Sequence, residues 1–175
     1  MKFFPVLTLV LLIAGSLAGQ GPATGTNRYD FSAAAMDGST IDTTKLRGKV
    51  LVYNLWFINC PNCLEEMNLL NQLVTDYAAN KDVLFIAPAA SRKADIGKFL
   101  AKNPFKYTII PDAAQLILSK FGTADKKGDI ELAFPMHLVI DRSGNTVVQE
   151  QGIKGVAAVR RELAKQFPTA KAAVQ

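Results

Sequence analysis

Cys60 and Cys63 are the only cysteines among the 175 residues, and two residues, Pro61 and Asn62, separate them. A Cys-x-x-Cys pair at the point where a strand hands over to a helix suits a reversible dithiol/disulfide couple. Unpaired backbone N–H groups and the macrodipole at a helix N-terminus favour an anion, so the first cysteine ionises more readily there. The thiolate is the nucleophile in disulfide exchange, and a partner within one helical turn can close the bridge. As a structural staple the pair is poorly placed. Loop-entropy stabilisation grows with the size of the loop closed, and this loop is very small.

The elements that must position the pair follow from the flanking pattern. Val50 to Ile58 is apolar at nearly every residue, as expected of a central strand covered on both faces. The spacing of Met67, Leu70, Val74 and Tyr77, with Leu73 beside them, predicts the buried stripe of a helix starting around Cys60 or Pro61. Upstream, Asp37-Gly38 marks the turn of an N-terminal hairpin. Downstream come a second buried strand (Val83 to Pro88), a helix over 94–102, a short strand (Tyr107 to Ile110) and a helix over 113–121. Thr123 to Glu131 reads as a polar loop, Met136 to Asp141 and Thr146 to Gln149 as a second hairpin, and Gly155 to Phe167 as a last amphipathic helix. The expected fold class is α/β, a mixed central sheet flanked by helices with an N-terminal β-hairpin extension.

The N-terminus has the pattern of an export signal. Lys2 precedes an apolar run from Val6 to Ala14 broken only by Thr8, and small residues follow, with a cut expected just after Ala18. Residues 1–19 are therefore set apart as a signal peptide or, if uncut, an anchor; 20–28 as a linker; 29–168 as one domain; and 169–175 as a tail. Gln20 stands where a lipid-bearing cysteine would be required, which argues against lipidation. The net charge of +5 is scattered, and Lys126-Lys127 and Arg160-Arg161 read as short solvated pairs, which argues against nucleic-acid binding. The expected setting is a bacterial periplasm or cell envelope.

Several features in order now resemble a family. A strand ending in Trp56 leads to Cys60-Pro61-x-Cys63, the acidic Glu66 stands three positions past the second cysteine, and Phe134-Pro135-x-x-Leu138-Val139-Ile140-Asp141-x-x-Gly144 follows. Together these resemble the thioredoxin-fold thiol–disulfide oxidoreductases of the TlpA/ResA type, over roughly Tyr29 to Phe167. The resemblance implies a thioredoxin-like fold with a Cys60–Cys63 disulfide, an exposed nucleophilic Cys60 and a resolving Cys63. It also implies a Glu66 that accepts or returns the proton of Cys63, one turn away. From composition alone, Glu66 reads equally well as a solvated first-turn acid complementing the dipole. Pro135 matches the proline that such folds hold in the cis form beside the dithiol, with Phe134 turned toward the sulfurs. Trp56 is expected to pack beneath the site, and Pro61 and Asn62 to tune the nucleophile.

The implied enzyme needs no cofactor or metal beyond its dithiol and is expected to act as a monomer. Its partners would be exported proteins with cysteines, possible apocytochromes among them, and a membrane electron donor or acceptor. Two other readings remain open. Cys60, Cys63 and the single histidine, His137, could form a three-ligand copper site. A thiol peroxidase is the other, although the Thr-x-x-Cys context it favours is absent. Leu64 stands where a Cys-x-x-Cys-His haem attachment would need histidine.

Overall fold

The computed structural model describes residues 27–168, so the expected export signal, most of the linker and the tail lie outside the described residues. The chain runs β1 (Ser32–Ala34), β2 (Thr40–Asp42), β3 (Val50–Leu55), α1 (Pro61–Asp76), β4 (Val83–Pro88), α2 (Lys93–Leu100), β5 (Thr108–Ile110) and α3 (Ala114–Phe121). It continues through β6 (Thr123–Ala124), β7 (Ile130–Glu131), β8 (Met136–Ile140), β9 (Thr146–Gln151) and α4 (Gly152–Gln166). A 3₁₀ turn, Thr43–Leu46, links the N-terminal hairpin β1–β2 to the central strand.

Five strands form the main sheet in the order β5-β4-β3-β8-β9. β3 pairs in parallel with β4 and antiparallel with β8; β5 joins β4 in parallel, and β9 closes the far edge antiparallel to β8. Alternation along each strand divides the core into two layers. Val50, Val52 and Trp56 of the β3 segment join Val139, Val148 and the apolar stripes of α1 and α4 on one face. Leu51, Tyr53 and Leu55 face the other way, against α3, Tyr29 and Phe31. The mixed sheet, the flanking helices and the hairpin extension all agree with the expected fold class.

Local chemistry accounts for the key junctions. Cys60 is the N-cap of α1 with an extended backbone, and Pro61 occupies the first helical position, where its missing N–H costs nothing. The β8–β9 turn is closed by Asp141, whose Oδ1 accepts from the backbone N–H of Ser143 and Asn145 at 2.9 and 2.8 Å. Gly144 takes φ 86° in that turn, a conformation costly for any residue with a Cβ.

Two expectations are corrected. Residues 123–131 are not an open loop but a small antiparallel hairpin, β6–β7, turned by Asp125, whose Oδ1 accepts from Lys127 N and Asp129 N. Its exposed two-residue strands are too short to show any period. α4 begins at Gly152, three residues before the expected start. Arg160 is exposed, as expected of a solvated surface pair, and from there it also pairs with Asp76 of α1 at 2.8 Å.

Further along α1 the packing against the sheet is apolar, with Leu70 only 1% exposed. Leu70→Ala is expected to cost about 2–5 kcal/mol through lost burial and a residual cavity. Chemical denaturation checks this, with an unchanged denaturant slope expected.

A candidate dithiol active site

Strand β3 ends at Leu55, and Trp56 through Asn59 carry the chain to Cys60 at the head of α1. Cys60 and Cys63 are joined as a disulfide, with S–S 2.05 Å and Cα atoms 5.2 Å apart. The backbone N–H of Cys63 donates to Cys60 Sγ at 3.2 Å, so the first turn of the helix places a donor on the first sulfur. Pro61 and Asn62 are exposed beside it. Both cysteines are only 3% exposed, which corrects the expectation of an exposed Cys60. In the disulfide form both belong to the apolar core, with Phe57, Ile58 and Phe134 packed against the same cluster.

The Phe134–Pro135 peptide is cis, as the resemblance implied. The Phe134 ring meets Phe57 edge-on, with centroids 5.3 Å apart. Phe134 therefore does arrive beside the strand-to-helix junction from far away in sequence. Pro135 is buried, and its carbonyl accepts from Gly152 N at 3.1 Å, tying this corner to the start of α4.

Trp56 is fully buried and packs against Phe99 and Phe105, with centroids 5.7 and 5.4 Å away. Phe105 stacks in turn on Tyr107. Burial, with the charge of Glu66 acting in the same direction, pushes the Tyr107 phenol well above the ordinary tyrosine range and keeps it neutral.

Below the disulfide lies a polar cluster. Glu66 is only 1% exposed, so the solvated-acid reading does not hold: on α1 its position faces the sheet along with Cys63, Met67 and Leu70. Glu65, beside it, is exposed. Glu66 Oε1 lies 2.9 Å from His137 Nε2 on β8 and 3.4 Å from Asn54 Nδ2 on β3. Asn54 Nδ2 is also 3.4 Å from His137 Nδ1. The contact between Nε2 and Oε1 is close but poorly aligned for a directed hydrogen bond, so its attraction is mainly electrostatic. Among the described residues Glu66 Oε2 has no hydrogen-bond partner.

Asn54 and His137 are cross-strand partners in the β3–β8 register, so their side chains share one face of the sheet. Sequence reasoning passed over Asn54 and singled out His137 only as a candidate copper ligand. The available signal was a single polar residue inside an otherwise apolar strand. The copper reading gains nothing from the structure: its two sulfurs are bonded to each other, and among the described residues no three His, Cys, Asp or Glu side chains are grouped to hold a metal.

A family model described as Redoxin matches residues 22–163. The thiol-disulfide oxidoreductase ResA of Bacillus thuringiensis (strain Al Hakam) is 23% identical over 125 residues, which cover 71% of this chain and 68% of that protein. The crystal structure of a thioredoxin-family thiol:disulfide interchange protein from Chlorobium tepidum superposes with a TM-score of 0.67 at 22% identity, over 86% of this chain and 99% of that one. A secreted Mycobacterium tuberculosis disulfide oxidoreductase homologous to E. coli DsbE gives 0.58 at 23% identity, over 81% of this chain and 96% of that one. At these identities the two structures show a shared fold.

Proposed function

The chain belongs to the redoxin family and is a thiol–disulfide oxidoreductase of the ResA/DsbE type, and on that premise we propose that it acts outside the cytoplasm as a reductase of disulfides in exported proteins. Cys60 is the nucleophile that forms the mixed disulfide, Cys63 resolves it, and Glu66 gives and takes the proton of Cys63. The observation that carries this reading is the Cys60–Cys63 disulfide at the head of α1, one turn above a buried carboxylate. A buried carboxylate at that position has little structural purpose, because burying a charge is costly unless it is paired. Proton transfer to a leaving sulfur gives it one.

Export is supported by the charged and apolar N-terminal pattern and by likeness to a secreted oxidoreductase. Among the described residues no helix is long and apolar enough to cross a membrane. The substrates are oxidised cysteines of other envelope proteins, apocytochromes awaiting haem among them, and the electrons come from a membrane donor. Phe57, Phe134 and the exposed Pro61-Asn62 edge supply the rim such a partner would meet.

Equilibrating the Cys60–Cys63 couple against glutathione buffers tests the direction. A reductase is expected to lie nearer the roughly −270 mV of thioredoxin than the roughly −120 mV of DsbA. A value at the oxidising end overturns the reducing assignment.

A further inference from the structure

We propose that His137 is a positioning residue of the dithiol chemistry: seated against a glycine of α4, it fixes which oxygen of Glu66 exchanges a proton with Cys63. The proposal rests on Glu66 serving Cys63 as stated above, and it adds an atom-level assignment with residues from three further elements.

The Asn54 amide nitrogen carries two hydrogens and cannot accept, so with Nδ2 3.4 Å away His137 Nδ1 is an acceptor. In the neutral imidazole the ring proton then sits on Nε2, the nitrogen 2.9 Å from Glu66 Oε1. Oε1 therefore faces two donor groups, His137 Nε2 and Asn54 Nδ2. Oε2 faces none among the described residues. A proton added to this buried cluster finds Nδ1 engaged by the amide, and Oε1 accepting from Asn54 Nδ2 with His137 Nε2 2.9 Å away. Oε2 is where it goes.

The exchange step then balances. An incoming thiolate attacks Cys60 Sγ and forms the mixed disulfide, the Cys60–Cys63 bond breaks, and its electron pair stays on Cys63 Sγ. The proton on Glu66 Oε2 passes to that sulfur, and the carboxylate left behind faces His137 and Asn54. In reverse, Cys63 Sγ–H returns its proton to Oε2, the thiolate attacks Cys60 Sγ of the mixed disulfide, and the other thiolate leaves.

A second, independent observation comes from α4. Gly155 lies inside a 15-residue helix, with no left-handed backbone angle to explain it. Glycine is a poor helix former, so its presence there needs a reason. A Cβ at this position would stand 2.3 Å from His137 Cδ2, 2.9 Å from its Cγ and 3.0 Å from the carbonyl oxygen of Glu150. No side chain fits there without displacing the imidazole. The missing methyl is the seat of the ring.

Other ionisable groups around the ring are few. α1 contributes Glu66 and Cys63, and β3 contributes only the neutral Asn54. The buried, neutral Tyr107 phenol, just ahead of β5, feels the charge of Glu66. Glu150 of β9 is the register partner of His137, but it is exposed, as is Lys154 next to Gly155 on α4. The ionisable side chain in contact with the ring is therefore Glu66.

The test is carried out on the full-length protein, following reduction by dithiothreitol and reoxidation by oxidised glutathione as a function of pH. His137→Ala is expected to slow the Cys63 step roughly tenfold, a fraction of what general acid–base catalysis as a whole supplies, and to change the shape of its pH profile. Gly155→Ala, which leaves every reacting group in place, is expected to move the profile in the same direction. In the His137→Ala background, where the ring is gone, Gly155→Ala adds nothing further. Superimposable pH profiles for wild type and His137→Ala overturn the proposal even if the rates differ, because a purely structural loss moves the rate alone. Equal effects of Gly155→Ala in both backgrounds also overturn it. If His137→Ala does not fold, His137→Gln is judged by the same two criteria. Wild-type protein whose disulfide exchanges with neither reagent refutes the oxidoreductase reading itself, a result distinct from either of these.

Discussion

Cys63→Ser is expected to turn the protein from a catalyst into a trap. With the resolving thiol gone, Cys60 can still attack a partner disulfide, but nothing releases the product. Turnover falls to background, and a covalent complex, lost on reduction, accumulates on non-reducing electrophoresis. Cys60→Ser is expected to give neither turnover nor complex. Exposure does not assign these roles, because both cysteines are buried to the same 3%. The hydrogen bond does. Cys60 Sγ accepts the backbone N–H of Cys63 at the open end of α1, where unpaired donors and the helix dipole stabilise a thiolate. Cys63 lies within the helix, one turn before the buried Glu66. A complex that forms with Cys60→Ser and not with Cys63→Ser would reverse the assignment.

Glu66→Gln carries the second large effect. The amide keeps the size of the side chain and offers an acceptor to Asn54, but it cannot carry the transferable proton. The step in which Cys63 gives up its proton and resolves the mixed disulfide is expected to slow by roughly 10²–10⁴-fold, the span that positioned acid–base groups contribute. Formation of the mixed disulfide at Cys60 should be spared, so a rapid-quench experiment will show that intermediate building up. Thermal unfolding of the same variant separates this loss from a folding defect. Removing a buried carboxylate is expected to leave stability similar or raised. If the intermediate decays at the wild-type rate, Glu66 has no part in the proton transfer.

Much of this was legible in the sequence because it is local. Pro61 after Cys60 marks a helix start, the stripe Met67–Leu70–Leu73 marks its buried face, and Phe134-Pro135 ahead of an apolar run marks the cis corner. The polar cluster was not legible, because it depends on strand order and register. Alternation along β8 puts His137 on the face opposite Leu138. What lies beside His137 is decided by β8 pairing with β3, so that Asn54 falls directly across, and by the path of α1 over both strands. Asn54 alone looks like a stray polar residue in an apolar strand. Gly155 suggested the start of a helix; only the packed structure shows that it makes room for a ring. Cys60 also departs from expectation, since in the disulfide form it belongs to the apolar cluster that Phe57 and Phe134 border.

The hairpin β6–β7 has a consequence for how such a protein can diversify. It is built from its own turn and its own two-residue strands, with Ile130 exposed, and it rejoins the chain just ahead of Phe134. Its root is fixed: Arg28 donates to the carbonyl of Gly122, and a side chain at Gly122 would meet Ile130 and the Leu118 carbonyl at 2.5 and 2.7 Å. Lengthening, shortening or recolouring the tip leaves the strands of the five-stranded sheet untouched while altering the segment that leads into Phe134. Should clients dock at Phe134 as proposed, natural variation there would act on the choice of client while the reaction is inherited whole.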